Sequence, residues 1–343
     1  MRAAQLPSPG EDIVIVEVPE PRPGPGEVTI KMAAAGVCHS DLTFQQAGPG
    51  MPTPPEYPWT MGHENAGYVA EVGSGVTGVA VGDPVGIWPG WGDRTCAVCR
   101  GGAEHLCPNL RYPGLRSPGG WADLMLIPDV RYLVPLGDLD PLQAVPLTDA
   151  GLTSYGAVSK MLPFLQGRRR SVAVIGVGGL GQFAVKYLTA LTDAHVIAID
   201  INESKRSHAL TIGASTAVDS TAEDAVQQVM AATADGLGVN AIVDFVGIDS
   251  TLALAADVTA PQGRIVLVGI GGGSLPVSYV NPRQQVQVST STLGTIEDQH
   301  RVVELARERG IIGNTTPYSF TDVNKALHDL ANHKIAERAV LRF

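Results

Sequence analysis

Val172-Ala173-Val174-Ile175-Gly176-Val177-Gly178-Gly179-Leu180-Gly181 is the stretch that decides the fold. A short apolar, β-branched run passes straight into Gly-x-Gly-x-x-Gly. A face of helical spacing then follows, with Phe183, Ala184, Tyr187, Leu188 and Leu191 on one side. In this strand–turn–helix setting Gly176 permits a tight turn, Gly178 lets a pyrophosphate approach the main chain, and Gly181 lets the helix pack on the strand. Gly179 and Leu180 complete the loop, and the helix N-terminus attracts the anion. The next apolar run, His195–Ile201, contains Asp200 at the distance expected of an acid that binds adenosine ribose hydroxyls. A carboxylate there repels a 2′-phosphate, so the pattern favours NAD over NADP. Lys205 reaches the same ribose, although alone it also reads as a solvated helix lysine. An ordinary glycine-rich turn followed by a surface aspartate is the competing explanation, and the two features together argue against it.

Outward from this loop, Ala241–Val246 and Arg264–Ile270 are further continuous apolar runs separated by helical patterns. Such alternation predicts a parallel sheet covered by helices on both faces. Val286–Thr290 reads as its last strand, an edge open to pairing. A helix over Glu297–Arg309 and a tail at Ala339–Phe343 close the chain. Before about residue 145 the texture is different: short β-segments such as Glu27–Met32 and Gly67–Val72 are punctuated by Pro19–Pro25 and Pro52–Pro58. A chain of 343 residues with such a change of texture predicts two domains.

Composition narrows the function. With 44% hydrophobic and 17% charged residues the chain is an ordinary globular one with large cores. The net charge of -10 argues against a nucleic-acid backbone as partner. Arg168-Arg169-Arg170 is too short to reverse that and reads as a solvated turn before a strand. The start, Met1–Pro7, shows no signal-peptide apolar stretch, and no apolar segment is long enough to span a bilayer. Four cysteines in so long a chain do not make a disulfide scaffold; cytoplasmic thiols or metal ligands are the expectation.

Two clusters carry metal chemistry. Gly36-Val37-Cys38-His39-Ser40-Asp41 and Gly62-His63-Glu64 offer a thiolate and an imidazole, the ligands zinc prefers. Taken singly, Cys38 reads as a small buried hydrophobe and His63 as a satisfied core histidine. Cys96, Cys99 and Cys107 form C-x2-C-x7-C on a glycine-rich loop.

Gly62-His63-Glu64-Asn65-Ala66-Gly67, continuing through Val69, Val72, Gly73, Val76, Gly82, Asp83 and Val85, resembles the signature of the zinc-containing alcohol dehydrogenases. These belong to the medium-chain dehydrogenase/reductase superfamily, and the likeness extends over essentially the whole chain to Arg338–Phe343. It implies an α/β protein: a GroES-like β-rich catalytic domain over residues 1–145 and 296–343, and a Rossmann doubly wound parallel-sheet domain over 146–295. It implies NAD(H) and two zinc ions. The catalytic ion would be held by Cys38, His63 and Asp149, the last standing in Leu147–Gly156 where the family has a cysteine or an acid. An isolated Asp149 also reads as a cap for the following helix.

By the same resemblance Asp41 orients His63, Ser40 takes the alcohol proton, and Glu64 assists ligand exchange or is an ion-pair partner behind the site. Thr43 replaces the histidine that often continues the proton relay, which leaves the exit route open. His39 and Arg338 would contact the pyrophosphate, and Thr153, Leu180 and Val268 would lie beside the nicotinamide. The structural zinc would take Cys96, Cys99, Cys107 and, in place of a fourth cysteine, Asp93. A lost zinc or a Cys96–Cys99 disulfide are the alternatives.

The implied reaction moves hydride between a primary or secondary alcohol and NAD, giving an aldehyde or ketone. Asp149 is shared with a branch resembling bacterial secondary-alcohol dehydrogenases and phenylacetaldehyde reductases. Trp59, Trp88, Trp91 and Leu115 lie near pocket-lining segments and favour an apolar, including aromatic, substrate. The rivals are a polyol dehydrogenase and a catalytically inactive NAD(H)-binding sensor, which has no reason to keep Cys38, Ser40, His63 and Asp149 together. Zinc-free quinone or enoyl reductases typically lack the Cys38 and His63 pair. A homodimer or homotetramer is the expected assembly.

Overall fold

The structure is a computed structural model, and it describes residues 1–48, 54, 56–167, 170–335 and 337–343. Pro52, within the proline-rich punctuation, and Arg168 and Arg169 of the basic run lie outside the described residues. The chain forms two compact units, one of Met1–Leu152 with Thr295–Phe343, the other of Thr153–Gly294.

The first unit is built on the strand Val28–Val37. It pairs antiparallel with Asn65–Val72 on one side and with Arg338–Arg342 on the other, while Leu124–Ile127 pairs along its first half. Pro84–Ile87 and Leu133–Pro135 extend the sheet beyond Asn65–Val72, and Thr315–Ser319 extends it beyond Arg338–Arg342. A separate three-stranded sheet is made of Val14–Glu17, Arg2–Leu6 and Trp59–Thr60. Phe44, Trp59, Met61, Trp121, Phe320 and Leu327 belong to one apolar core in this unit. The central strand is longer than the Glu27–Met32 expected from its valine pattern. Its second half, Ala33-Ala34-Ala35-Gly36, has weak strand propensity and is held extended by partners on both sides.

The second unit is a six-stranded parallel sheet in the order Thr216–Val218, His195–Ile199, Ser171–Ile175, Val239–Asp244, Thr259–Leu267, Gln287–Thr290. The first strand in sequence thus sits between the second and the fourth, the doubly wound order with its switch point at the carboxyl end of Ser171–Ile175. The apolar runs His195–Ile201, Ala241–Val246 and Arg264–Ile270 each continue past the end of the strand that holds them, into the loop that follows. Gln287–Thr290 lies at the margin and is largely exposed.

Gly176 has φ +82, a left-handed conformation open to glycine. Helix Gly181–Leu191 begins so close to this turn that a Cβ on Gly181 would lie 2.0 Å from the Gly176 carbonyl oxygen. We expect Gly181→Ala to push the helix off the strand, at a cost of about 1–3 kcal/mol. A lowered thermal midpoint and weaker NADH binding would report it; a variant that melts with the native protein would show that the contact is not required.

Candidate functional site

Antiparallel pairing assembles the first cluster. Ala35 faces Asn65, and Val37 faces Ala339. Residues just beyond Val37 therefore meet residues just before Asn65 and just before Ala339. Cys38, His63, Glu64 and Arg338 converge at one end of the sheet for that reason. Asp149 follows the one-turn helix Val145–Thr148, which is anchored because the Thr148 hydroxyl accepts from the Asn65 N–H at 3.1 Å. The ligand atoms of Cys38, His63 and Asp149 all lie within 4.8 Å of one another, and all three residues are buried.

Asp41 organises this cluster from the helix His39–Gln45, which Cys38 precedes. One of its carboxylate oxygens is 3.0 Å from His63 Nδ1, and the other accepts from the Cys38 N–H at 2.8 Å. With Nδ1 donating to Asp41, His63 Nε2 faces Asp149 Oδ2 at 3.6 Å and is the nitrogen that would offer its lone pair to a bound ion. Burial disfavours a charged imidazole here. The Asp41 and Asp149 carboxylates and the Cys38 side chain more than offset it, and the His63 pKa lies well above its ordinary value. Acids and a thiol around one imidazole form a donor set that calls for a cation, and a zinc ion fits it in ligand type and number.

Behind the ligands sits a buried ion-pair bridge. Arg338 Nε donates to Glu64 Oε2 at 2.6 Å, and its Nη2 donates to Asp149 Oδ2 at 2.7 Å. Glu64 Oε1 accepts from the Ala150 N–H at 3.3 Å. Burial drives the Glu64 pKa up to about 7 even though Arg338 lowers it. Gly36 makes room for this carboxylate: a Cβ there would stand 1.6 Å from Glu64 Oε2. Arg338, expected at a pyrophosphate, is thus committed through two of its nitrogens to Glu64 and Asp149. His39 is exposed, Ser40 half-buried, and the Thr43 hydroxyl donates to the His39 carbonyl at 3.0 Å.

Sequence reasoning missed Tyr112. Its ring centroid lies 5.9 Å from that of His63, and burial, reinforced by the Asp149 charge, holds its phenol well above the ordinary pKa. No motif marks it, because the loop that carries it has no periodicity. Trp88 and Trp91 both stack on Tyr132, and the Trp59 indole donates to the Gly114 carbonyl at 2.9 Å. All three are buried.

The second cluster is Asp93, Cys96, Cys99 and Cys107, again with ligand atoms within 4.8 Å. Cys96 Sγ is 3.4 Å from Cys99 Sγ and 3.9 Å from Cys107 Sγ, and Cys99 Sγ is 3.5 Å from Asp93 Oδ1. All these cysteines are free thiols. Zn–S bonds of about 2.3 Å in a tetrahedron give edges of roughly 3.8 Å, so the spacing fits a four-coordinate ion. The Asn109 side chain and the N–H groups of Thr95 and Cys96 hold the Asp93 carboxyl well below the usual range. The Cys99 N–H lowers the Cys96 thiol, while burial and the neighbouring sulfurs push Cys99 up to about 12.

In the second unit the glycine loop presents the N–H groups of Gly178, Gly179 and Leu180, for which no acceptor is found among the described residues. That is an anion cradle at the start of the helix. A Cβ on Gly178 would meet only Lys205 Nζ, at 3.8 Å, so the backbone is open to a close ligand. Asp200 accepts from the Val177 N–H at 2.8 Å and the Asn202 N–H at 2.9 Å. The Ser154 hydroxyl donates to the Leu180 carbonyl at 2.8 Å, which ties the neighbourhood of Thr153 to the loop. Val268 stands just past the strand Thr259–Leu267, its N–H donating to the Asp244 carbonyl at 2.9 Å.

Removing Arg338 leaves Glu64 and Asp149 buried and facing each other. Arg338→Ala is expected to cost about 3–5 kcal/mol in denaturant unfolding. Arg338→Lys, which keeps the charge but not the fork, should recover part of it; an unchanged unfolding midpoint for Arg338→Ala would show that the bridge is not needed.

Known proteins resemble this chain over its whole length. Residues 24–138 match the alcohol dehydrogenase GroES-like domain, and residues 179–308 match the zinc-binding dehydrogenase domain. An NAD-dependent alcohol dehydrogenase of Sulfurisphaera tokodaii is 34% identical, with 99% of each chain covered. The alcohol dehydrogenase of Aeropyrum pernix superposes with a TM-score of 0.90 at 36% identity, covering 100% of both chains. The acetophenone reductase of Geotrichum candidum, solved with NAD, gives a TM-score of 0.86 at 30% identity over 100% of this chain and 97% of that one. With a mixed α/β fold of these two domain types, the chain belongs to the zinc-containing alcohol dehydrogenase family of the medium-chain dehydrogenases/reductases.

Proposed function

We propose that this protein is a zinc-dependent, NAD-linked alcohol dehydrogenase that interconverts small apolar alcohols, secondary and aromatic ones included, with their ketones or aldehydes. The observation that carries the reading is the convergence of buried Cys38, His63 and Asp149 within 4.8 Å in a chain that also holds the glycine loop. We assign the zinc chemistry to the unit Met1–Leu152 with Thr295–Phe343, which contains Asp149 as well as Cys38 and His63, and the dinucleotide chemistry to Thr153–Gly294. A cytoplasmic setting suits the free thiols, and no helix among the described residues is long and apolar enough to cross a membrane.

Zinc in the first cluster supplies a Lewis acid that lowers the pKa of an alcohol hydroxyl and polarises a carbonyl. NAD supplies the hydride acceptor. The chain's own residues do the rest. One thiolate and one carboxylate balance the two positive charges of the ion, and Asp41 keeps His63 in the tautomer that presents Nε2. Ser40, two residues beyond Cys38, takes the alcohol proton. Glu64 and Arg338 hold Asp149 from behind. Arg338 Nη1, which has no partner among the described residues, is the nitrogen left for the pyrophosphate, together with His39. Thr153, Leu180 and Val268 position the nicotinamide, and Asp200 and Lys205 take the ribose. Asp93, Cys96, Cys99 and Cys107 hold the structural ion.

We also assign a homodimer or homotetramer, supported by the open edge at Gln287–Thr290 and by the apolar residues Val277, Tyr279 and Val280, which are 72–92% exposed.

With 1-phenylethanol and NAD we expect NADH formation that stops on chelation and returns with zinc. Asp149→Asn should lower kcat/KM by at least about tenfold and weaken zinc retention. Full activity after complete zinc removal would overturn the assignment. For the assembly, light scattering should show two or four chains, and Val277→Lys with Val280→Lys should shift it toward one; an unchanged mass would place the interface elsewhere.

A further inference from the structure

At the end of the parallel sheet two aspartates stand side by side. The strands His195–Ile199 and Thr216–Val218 are neighbours, and the Asp200 N–H donates to the Val218 carbonyl at 3.2 Å. Each strand is followed directly by an acid, Asp200 after the first and Asp219 after the second. Arg206, on the helix Glu203–Thr211, reaches both places. Its Nη1 donates to the backbone oxygen of Asp200 at 2.9 Å and lies 3.0 Å from the Asp219 carboxylate.

The two acids are held differently. The Asp200 carboxylate accepts from the N–H groups of Val177 and Asn202, and among the described residues it makes no ion pair with Arg206. Asp219 is pinned by the hydroxyl of Thr221 at 2.7 Å and its N–H at 2.9 Å, and these bonds hold its carboxyl below the ordinary value. The guanidinium beside the ribose acid is therefore neutralised by a second, fixed anion.

A guanidinium beside the adenosine ribose is the group that receives a 2′-phosphate in phosphorylated dinucleotides. We infer that Arg206 is a latent receptor for the 2′-phosphate of NADP, and that Asp219, by holding it, is a second determinant restricting the site to NAD. The inference rests on the proposed role of Asp200 at the ribose. Asp200 excludes the phosphate by direct repulsion. Asp219 acts through Arg206 and is a positioning residue. Relief of the repulsion alone leaves the cation tethered and its charge already answered.

The test is direct binding to the zinc-loaded full chain, read by fluorescence titration of NADPH and NADH. Asp200→Ser should tighten NADPH, and adding Asp219→Asn should tighten it by about a further fivefold, the scale of one partly exposed ion pair plus the lost repulsion. Asparagine keeps the acceptor that Thr221 uses, and a thermal midpoint unchanged from that of Asp200→Ser alone reports an intact fold. A third change, Arg206→Ala, should cancel the gain from Asp219→Asn. An NADPH Kd unaffected by Asp219→Asn, or a gain that survives Arg206→Ala, would overturn the inference while leaving the NAD site intact. NADH and NADPH affinities that both ignore Asp200→Ser would instead remove the ribose assignment on which it rests.

Discussion

The guanidinium of Arg338, lodged between Glu64 and Asp149, is the interaction on which the metal-binding end of the sheet depends. Several acidic groups crowd this region: Asp41, Glu64, Asp149 and the Cys38 thiol. An uncompensated buried charge costs several kcal/mol, so a site this rich in anions needs internal cations as well as the one it is built to hold. Arg338 meets part of that need permanently. It also orients Asp149, because the oxygen it binds is the one facing His63. The forked geometry matters as much as the charge, since one side chain must reach two carboxylates at once.

The same logic runs in a different material at the second cluster. There the acidic groups are thiols and Asp93 on a loop with little regular structure, and main-chain N–H groups rather than an arginine surround them. N–H groups of Cys99, Asp93 and Asn109 point at the sulfurs of Cys96 and Cys107. Backbone donors are fixed by the turn, so the loop holds its sulfurs close to a tetrahedral spacing without a packed core of its own. Gly92 is part of the arrangement, because a Cβ there would stand 2.8 Å from Cys99 Sγ.

How much of this was legible in the sequence follows from how far each signal reaches along the chain. The strand–glycine–helix unit at Val172–Leu191 is local, and its residues announce it by composition alone. Parallel strands such as Ser171–Ile175 are covered on both faces and read as unbroken apolar runs. The long strand Val28–Val37 was only half visible, because alanines and a glycine become a strand there through partners supplied from elsewhere. Cys38, His63 and Asp149 are far apart in sequence, and a resemblance rather than a spacing joined them. The Arg338 bridge was half legible: Glu64 reads as an ion-pair partner behind the site, but nothing in the sequence names Arg338 as that partner, since a lone arginine near the C-terminus is ordinarily a surface charge. Tyr112 had none either.

Glu64 and Arg338 are separated by 274 positions, and the strand that carries Arg338 completes the sheet on one side of Val28–Val37. At synthesis rates of about 5–20 residues per second, the candidate ligands Cys38 and His63 leave the ribosome roughly 14–60 s before Arg338. During that interval the sheet lacks a neighbour and the acids lack their arginine. The buried carboxylates of Glu64 and Asp149 are therefore paired only once the strand Arg338–Arg342 has been made and added to the sheet.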